Sequence, residues 1–541
     1  MLTSLVISLG LCLVSISFAI PTKPPTVDTG YAIFVGNHSR PNTAAFLGVP
    51  YAEPPLDDKR WRAPTPLDTE TLKNNKKTFD ASKYPDFCIQ GTTGSGDAGG
   101  AGSEDCLKVN IYAPINATQE SNLPVLVYIH GGGYIYGNPA NWPFDHWVDQ
   151  SPNVVIVSVY YRLNVFGFLA HPELEDPTIG SLNAGFLDQT EALRWVQSHI
   201  SSFGGNPNKV TINGQSAGGS SVELHLVAAN NERLFIGAIA QSVYRIPLPT
   251  VEQQQSLLGY LLQNTSCTLP TGVEQISCLR KASVSALIRS SDWAQSTFPG
   301  GYHKWVPVID KTVLTDHPTD LLMSGNWAKV PIIAGATSNE SLSDTGDIPT
   351  SLTDYFPGIT STDIQKFTSL YPENQFANVN QWVTDVTGDI TVRCGRELLG
   401  SVASRDDLPS FAYRYNQPNP SFGDNVDVEH AAENWMMFLG SNTGFNGSGV
   451  LTGLNATETA FSQELIAYWL SFVRSSNPNT YRLERSPEWP SFSPTSTGKR
   501  QVLQQDPKNR TTVSGIVSEL EPSADLERCD FTFTLTNVLE N

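Results

Sequence analysis

The stretch that most constrains this 541-residue chain is a turn between a strand and a helix. Gly214-Gln215-Ser216-Ala217-Gly218 follows the short run 209–213 (KVTIN) and precedes 219–224 (GSSVEL), which reads as a helix. Reversing the chain so tightly strains the backbone at Ser216. Only residues without bulky side chains can crowd around it, hence Gly214 and Gly218. Such an elbow exposes a serine hydroxyl at the top of a sheet. A glycine-rich structural turn would look the same, so the chemistry depends on what else the chain brings.

A second glycine cluster adds to it. His130-Gly131-Gly132-Gly133-Tyr134 follows the apolar run 124–129 (PVLVYI). Acyl transfer builds negative charge on a carbonyl oxygen, and backbone N–H groups must be aimed at it in advance. Three glycines leave those groups uncovered and let the chain approach a substrate. One such donor stabilises the transition state by about 3 kcal/mol. A glycine loop after one strand and a serine elbow after a later one together imply acyl transfer through Ser216.

The surrounding pattern fits a sheet that can carry both. Residues 124–129 and 154–160 (VVIVSVY) are continuous apolar runs of the buried-strand type. Residues 192–200 read as an amphipathic helix, 210–212 as the next short strand and 330–333 as a later one. Strand, helix, strand in that order predicts an α/β chain: a large, mostly parallel central sheet covered by helices on both faces. The 40% hydrophobic content can fill such a core, and with 16% charged residues neither disorder nor coiled coil is expected. A formal net charge of −19 repels phosphate backbones and anionic headgroups, so no nucleic-acid partner is expected.

Residues 1–20 are apolar and run directly into Pro21-Thr22-Lys23-Pro24-Pro25. Ser17-Phe18-Ala19 offers small residues where a signal peptidase reads, so 1–19 is expected to be a signal peptide and 20–541 a single domain. Only 5–20 is well apolar, short of the ~20 residues that span a bilayer, so no stable membrane anchor is expected. Cys12 leaves with the leader. Cys88, Cys106, Cys267, Cys278, Cys394 and Cys529 remain, and six cysteines can pair in ~15 ways. Local closure argues for Cys88–Cys106 and Cys267–Cys278, leaving Cys394 and Cys529 for a long closure, as suits an oxidising compartment. Sequons at Asn37, Asn116, Asn264, Asn446, Asn455 and Asn509 fit a secreted, extracellular glycoprotein.

Further motifs carry a resemblance. They are 48–55 (GVPYAEPP), Ser103-Glu104-Asp105-Cys106-Leu107, Tyr161-Arg162-Leu163, Gly167-Phe168-Leu169, Leu187-Asp188-Gln189 and Phe203-Gly204-Gly205-Asn206-Pro207. With the glycine loop and the elbow, they resemble the type-B carboxylesterase/lipase family, which includes cholinesterases, and most nearly its secreted fungal esterases and lipases. The resemblance runs from about Gly30 to Phe533. It implies the α/β-hydrolase fold and a Ser–Glu–His triad in that chain order. Val330-Pro331 leads to Gly335 and then to Glu340, as the family spaces its acid, although Ser341 stands where the family usually has Gly. Asp344 is the reserve candidate. His430, in 428–434 (VEHAAEN), resembles the family's His-Gly-x-Glu stretch with Ala431 in place of Gly. Ser242 resembles a family serine that supports the histidine. The cysteine pairing resembles the three bridges of the cholinesterase branch.

The implied chemistry is a two-step acyl transfer. His430 takes the proton of Ser216, and Ser216 attacks the ester carbonyl. The N–H groups of Gly132, Gly133 and Ala217 hold the oxyanion, and His430, oriented by Glu340, protonates the leaving alkoxide. Water then repeats the sequence. No metal or cofactor is required, and no metal-ligand spacing is present. The expected partner is a small-molecule or lipid ester. The loop between Cys88 and Cys106 carries no aromatic residue, and Gln215 replaces the Glu that cholinesterases place before the serine. Quaternary ammonium esters need aromatic faces or negative charge, so choline esters are not expected. In interfacial lipases of the family the same loop is a long amphipathic lid. Here 91–102 is mostly Gly, Ser and Thr with no apolar face, which predicts a mobile loop, an open gorge and a carboxylesterase acting on dispersed esters. A lipase acting on long-chain or bulky lipid esters is the alternative. A non-catalytic adhesion role, known where the serine is lost, is disfavoured because Ser216, Glu340 and His430 are all present.

Overall fold

The computed structural model describes residues 23–92, 99–229, 232–298, 301–341, 346–422, 427–443, 449–493 and 498–541. The expected leader, Asp344, Asn446 and residues 93–98 of the first cysteine loop lie outside these.

Eleven strands form one sheet. They are β1 (Asn37–Arg40), β2 (Thr43–Pro50), β3 (Lys108–Pro114), β4 (Leu123–Ile129), β5 (Val155–Val159), β6 (Gly205–Gln215), β7 (Gly237–Gln241), β8 (Ile332–Thr337), β9 (Ser410–Tyr415), β10 (Lys499–Leu503) and β11 (Val517–Leu520). Their spatial order is β11-β10-β9-β8-β7-β6-β4-β5-β3-β2-β1. The seven strands from β10 to β5 run parallel, and the pairs beyond them at both edges are antiparallel. The expected mostly parallel sheet is thus present, and β6, which ends at the elbow, lies near its centre.

Side chains alternate across a strand, and both faces here are apolar. Along β4, Val125, Val127 and Ile129 enter one core with helices α1 (Ala184–His199), α2 (Ala217–Val227) and part of α4 (Cys394–Arg405). Leu126 and Tyr128 enter the other, with α5 (Ala432–Met437) and α6 (Ala456–Ser475). Each buried aliphatic side chain contributes about 1.5–3 kcal/mol, so a central strand apolar on both faces is fixed in register.

Two expected elements differ in extent. β6 begins at Gly205, which pairs with Leu123 at the sheet end; the polar residues 206–209 form an irregularity before Val210 takes up the register opposite Val125. The helix expected over 192–200 starts at Ala184 and is buried along most of its length rather than amphipathic. Its polar Asp188 is an interior residue: both carboxylate oxygens accept hydrogen bonds from the Arg162 guanidinium, at 2.6 and 2.8 Å. Two of the motifs quoted above are therefore halves of one buried ion pair.

The disulfides join Cys88 to Cys106, Cys267 to Cys278 and Cys394 to Cys529, the last tying α4 to α7 (Ser523–Phe533). The described arms of the first cysteine loop are hydrogen-bonded to their surroundings. Gln90 N–H donates to Ala101, Gly91 N–H to Ile135, and the Thr92 hydroxyl to Asp292 of α3 (Val284–Thr297). Of the described sequons, Asn116, Asn264, Asn455 and Asn509 are exposed. Asn37 is half-buried, and its amide donates to the Ser82 carbonyl at 2.5 Å.

Candidate active site

Ser216 sits between β6 and α2 at φ 60°, a left-handed conformation that costs a non-glycine residue energy. The surroundings leave it no alternative. A Cβ on Gly214 would collide with the Gly218 carbonyl, and one on Gly218 with the Ile129 carbonyl at the end of β4. The serine is almost buried, at 8% exposure, and its N–H donates to the Gln241 carbonyl at 3.0 Å. Gln215 before it is buried and accepts a hydrogen bond from Asn434 at 3.1 Å.

Two distant loops converge on the serine. His430 Nε2 lies 2.8 Å from Ser216 Oγ, and His430 Nδ1 lies 2.5 Å from Glu340 Oε2. The other oxygen of Glu340 accepts the Thr337 N–H at 2.8 Å, and the residue is fully buried just beyond β8. The loops are fastened to each other: Asn339 N–H donates to the Val428 carbonyl at 3.0 Å, and Val428 N–H to Asn339 Oδ1 at 2.9 Å. The Asn339 side chain is thus committed within the Glu340 loop, which suits an unmodified sequon at Asn339-Glu340-Ser341. Ala431, standing where the resemblance has Gly, adopts φ 66°.

Burial raises the pKa of Glu340, but His430 and hydrogen bonds from His430, Ser242 and Thr337 outweigh it, holding the carboxyl below its usual value. Burial lowers that of His430, and the charge and hydrogen bond of Glu340 outweigh it in turn, raising the imidazole above its usual value. Glu433, the Glu of the His-Gly-x-Glu stretch, is buried on α5, and the sequence assigned it no role. Burial and the charge of Glu340 push its carboxyl up to about 7. Ser242 Oγ lies 3.5 Å from Glu433 and also reaches toward Glu340, so one hydroxyl stands between two carboxyls.

The glycine loop faces the serine from the other side. A Cβ on Gly131 would come within 2.8 Å of Ser216 Cβ. Gly132 and Gly133 adopt φ 114° and 60°, and nothing lies within 4 Å of where a Gly133 Cβ would stand. Among the described residues, no acceptor takes the N–H of Gly132, Gly133 or Ala217. Ala217 opens α2, so its N–H also carries the positive end of that helix. His130 is held neutral, since burial pushes it down to about 4. It stacks on Tyr161 and hydrogen-bonds the Gly131 carbonyl at 2.8 Å. Gln90 and Asn164, also missed in the sequence, brace this loop from outside. No group of three or more His, Cys, Asp or Glu side chains among the described residues converges on a metal position.

Such an arrangement can move a proton from a serine hydroxyl to an imidazole beside three open N–H donors. The Carboxylesterase family profile matches residues 23–521. The chain is 30% identical over 539 residues to a liver carboxylesterase 1F of Rattus norvegicus, covering 90% of this chain and 91% of that one. It is also 30% identical over 507 residues to a secreted lipase 1 of Botryotinia fuckeliana, covering 83% and 84%. The crystal structure of Aspergillus niger EstA superposes with a TM-score of 0.83 at 29% identity, covering 96% of this chain and 99% of that one.

Proposed function

Since the chain belongs to the carboxylesterase family and is a carboxylic ester hydrolase, we propose that Ser216, His430 and Glu340 are its nucleophile, base and acid. The observation that carries this is His430, which bridges Ser216 and the buried Glu340 through its two ring nitrogens. Nδ1–H donates to the carboxylate, so Nε2 is the free base facing Oγ. It takes the hydroxyl proton as Oγ attacks the ester carbonyl. The developing oxyanion meets the N–H groups of Gly132, Gly133 and Ala217, which need no reorganisation to receive it. The resulting imidazolium, steadied by Glu340, gives its proton to the leaving alkoxide, and water then releases the acid by the same route.

The chain works as one catalytic domain, residues 20–541, released from a signal peptide into an oxidising, extracellular setting. Three disulfides and four exposed sequons, Asn116, Asn264, Asn455 and Asn509, support that reading. Among the described residues no helix is long and apolar enough to cross a membrane. The substrate is a dispersed ester of short to medium acyl length. Action on lipid esters is the second reading, favoured by the likeness to the secreted lipase. A lid that opens at an oil surface needs an apolar face to expose, since apolar burial supplies ~25 cal/mol per Å². The 91–102 sequence offers almost none.

A rate series across p-nitrophenyl esters of rising acyl length, read through each ester's solubility limit, tests the substrate. A smooth curve is expected, and a jump at the limit makes the enzyme a lipase. Fluorophosphonate labelling of Ser216 tests the nucleophile, with the label expected on that peptide alone.

A further inference from the structure

The segment that follows Cys88 grips the glycine loop. Gln90 is fully buried, and its amide is engaged at both ends. Nε2 donates to the carbonyls of Cys88 (2.7 Å) and Gly137 (3.0 Å), and Oε1 accepts the Gly137 N–H (2.7 Å). One side chain thus holds both polar groups of Gly137. The next residue, Gly91, donates its N–H to the Ile135 carbonyl at 2.9 Å. Asn164, also fully buried, ties the two segments together: Nδ2 donates to Ile89 (2.8 Å) and Ile135 (3.4 Å), and its N–H donates to the Tyr134 carbonyl (2.6 Å).

This bracing acts on a stretch with little stiffness of its own. Gly131, Gly132, Gly133 and Gly137 have no side chains to pack, and glycine loses more backbone freedom on ordering than any other residue. Gly137, at φ 143°, lies so close to His130 that a Cβ would collide with the ring. A small shift at Gly137 is therefore passed along five residues to Gly132 and Gly133. Misplacing a reacting or stabilising group by 1 Å costs about 100-fold in rate.

We propose that Gln90 is a positioning residue for ester hydrolysis, fixing the N–H groups of Gly132 and Gly133 relative to Ser216. The Cys88–Cys106 bridge then serves the chemistry by holding Gln90 in place. This rests on reading Gly132 and Gly133 as oxyanion donors. The amide is the functional part: it alone at this size offers a donor and an acceptor in one plane. Its benefit is realised where charge develops, so it belongs to kcat rather than to ground-state binding.

Gln90→Met keeps the volume and removes the amide. Per active site titrated with fluorophosphonate, kcat should fall roughly 10- to 100-fold while KM stays within about threefold. Affinity for a trifluoromethyl ketone, which adds to Ser216 as a charged tetrahedral adduct, should fall with kcat. A protein that had merely lost stability would titrate fewer sites but keep its kcat per site, and that result overturns the proposal. In the wild-type protein, Gly137 N–H should exchange with deuterium far more slowly than an open peptide. Free exchange there overturns the proposal even if the variant does not fold. Gly132→Ala, whose Cβ would collide with the Tyr136 carbonyl, separates the two readings. If it abolishes kcat while Gln90→Met does not, Gln90 has no positioning role and the oxyanion reading stands. Wild-type kcat in Gly132→Ala removes the oxyanion reading itself.

Discussion

Ser216 is held on its sheet side and on its solvent side by different means. On the sheet side the hold is steric: Gly214 closes on the Gly218 backbone and Gly218 on the end of β4, and the strand and helix leave one conformation for the residue between them. On the solvent side the contacts that join the parts are long-range. His430 reaches Glu340 across 90 residues of chain, Val428 reaches Asn339 across 89, and Gln90 reaches Gly137 across 47. The first half is fixed by excluded volume, the second is suspended on hydrogen bonds. Excluded volume tolerates no substitution, whereas a hydrogen-bonded suspension can be loosened by degrees.

The largest expected effect breaks the steric half without touching its shape. Ser216→Ala should leave the melting temperature unchanged and lower kcat by a factor on the order of 10⁶. Near-normal ester turnover by purified Ser216→Ala would mean that the elbow is not where the chemistry occurs.

Next comes the longest reach of the suspended half. Glu340→Gln should cost roughly 10⁴-fold in kcat, because the imidazole loses its tautomer and its counter-charge. Protonation of His430 abolishes its role as base, and Glu340 holds its pKa above 6.5. The acid limb of kcat/KM in the wild type should therefore lie above pH 6.5 and move to lower pH in Glu340→Gln. Asp344→Asn should do neither; were it the more damaging change, the acid would be misassigned.

Removing the first bridge, Cys88→Ser with Cys106→Ser, should cost about 3 kcal/mol in chemical denaturation. It should also lower kcat about tenfold at temperatures where the protein stays folded, because Gln90 loses its anchor. Loss of stability with unchanged kcat would detach the bridge from the glycine loop.

A smaller effect concerns Glu433. Its carboxyl takes up a proton near pH 7 in the folded protein but only near 4.5 when unfolded. The native state therefore binds more protons between these values, and this group's contribution makes stability fall as pH rises from about 4.5 to 7, then level off. Melting temperatures across that range should lose this component of their slope in Glu433→Gln, and an unaltered slope would show that Glu433 is charged throughout. The smallest effect is Ala431→Gly. Relief of a left-handed conformation by 1–2 kcal/mol is partly offset by about 0.4–1 kcal/mol of added unfolded-state entropy. A net gain of roughly 0.5 kcal/mol in denaturant titration is expected, and a loss would show that Ala431 packs in a way glycine cannot replace.

What was legible in the sequence follows the same division. The elbow, the glycine loop and the parallel sheet could be read because each is written in adjacent residues: two glycines around a serine, three glycines after a strand, apolar runs of strand length. Glu340 and His430 came from the family resemblance, since no local pattern marks a loop carboxylate as the partner of a histidine 90 residues on. Gln90 escaped, and Glu433 was legible only as the last residue of the His-Gly-x-Glu stretch, with no role. A buried glutamine declares itself only by what it touches, and the one clue to Gln90 was its place two residues after a bridged cysteine. Glu433 acts through its closeness to Glu340, which the sequence separates by a strand and several helices. The length of α1 was underestimated because Asp188, paired inside the core, looks like a surface residue until Arg162 is seen beside it.

The mutual hydrogen bonds of Asn339 and Val428 have a consequence for inheritance. They make the Glu340 loop and the His430 loop a single unit of descent. An insertion that lengthens one shifts Glu340 or His430 away from its partner unless the other loop changes to match. In a chimaera built from two relatives, these loops should therefore come from the same parent, whatever the origin of the strands that carry them.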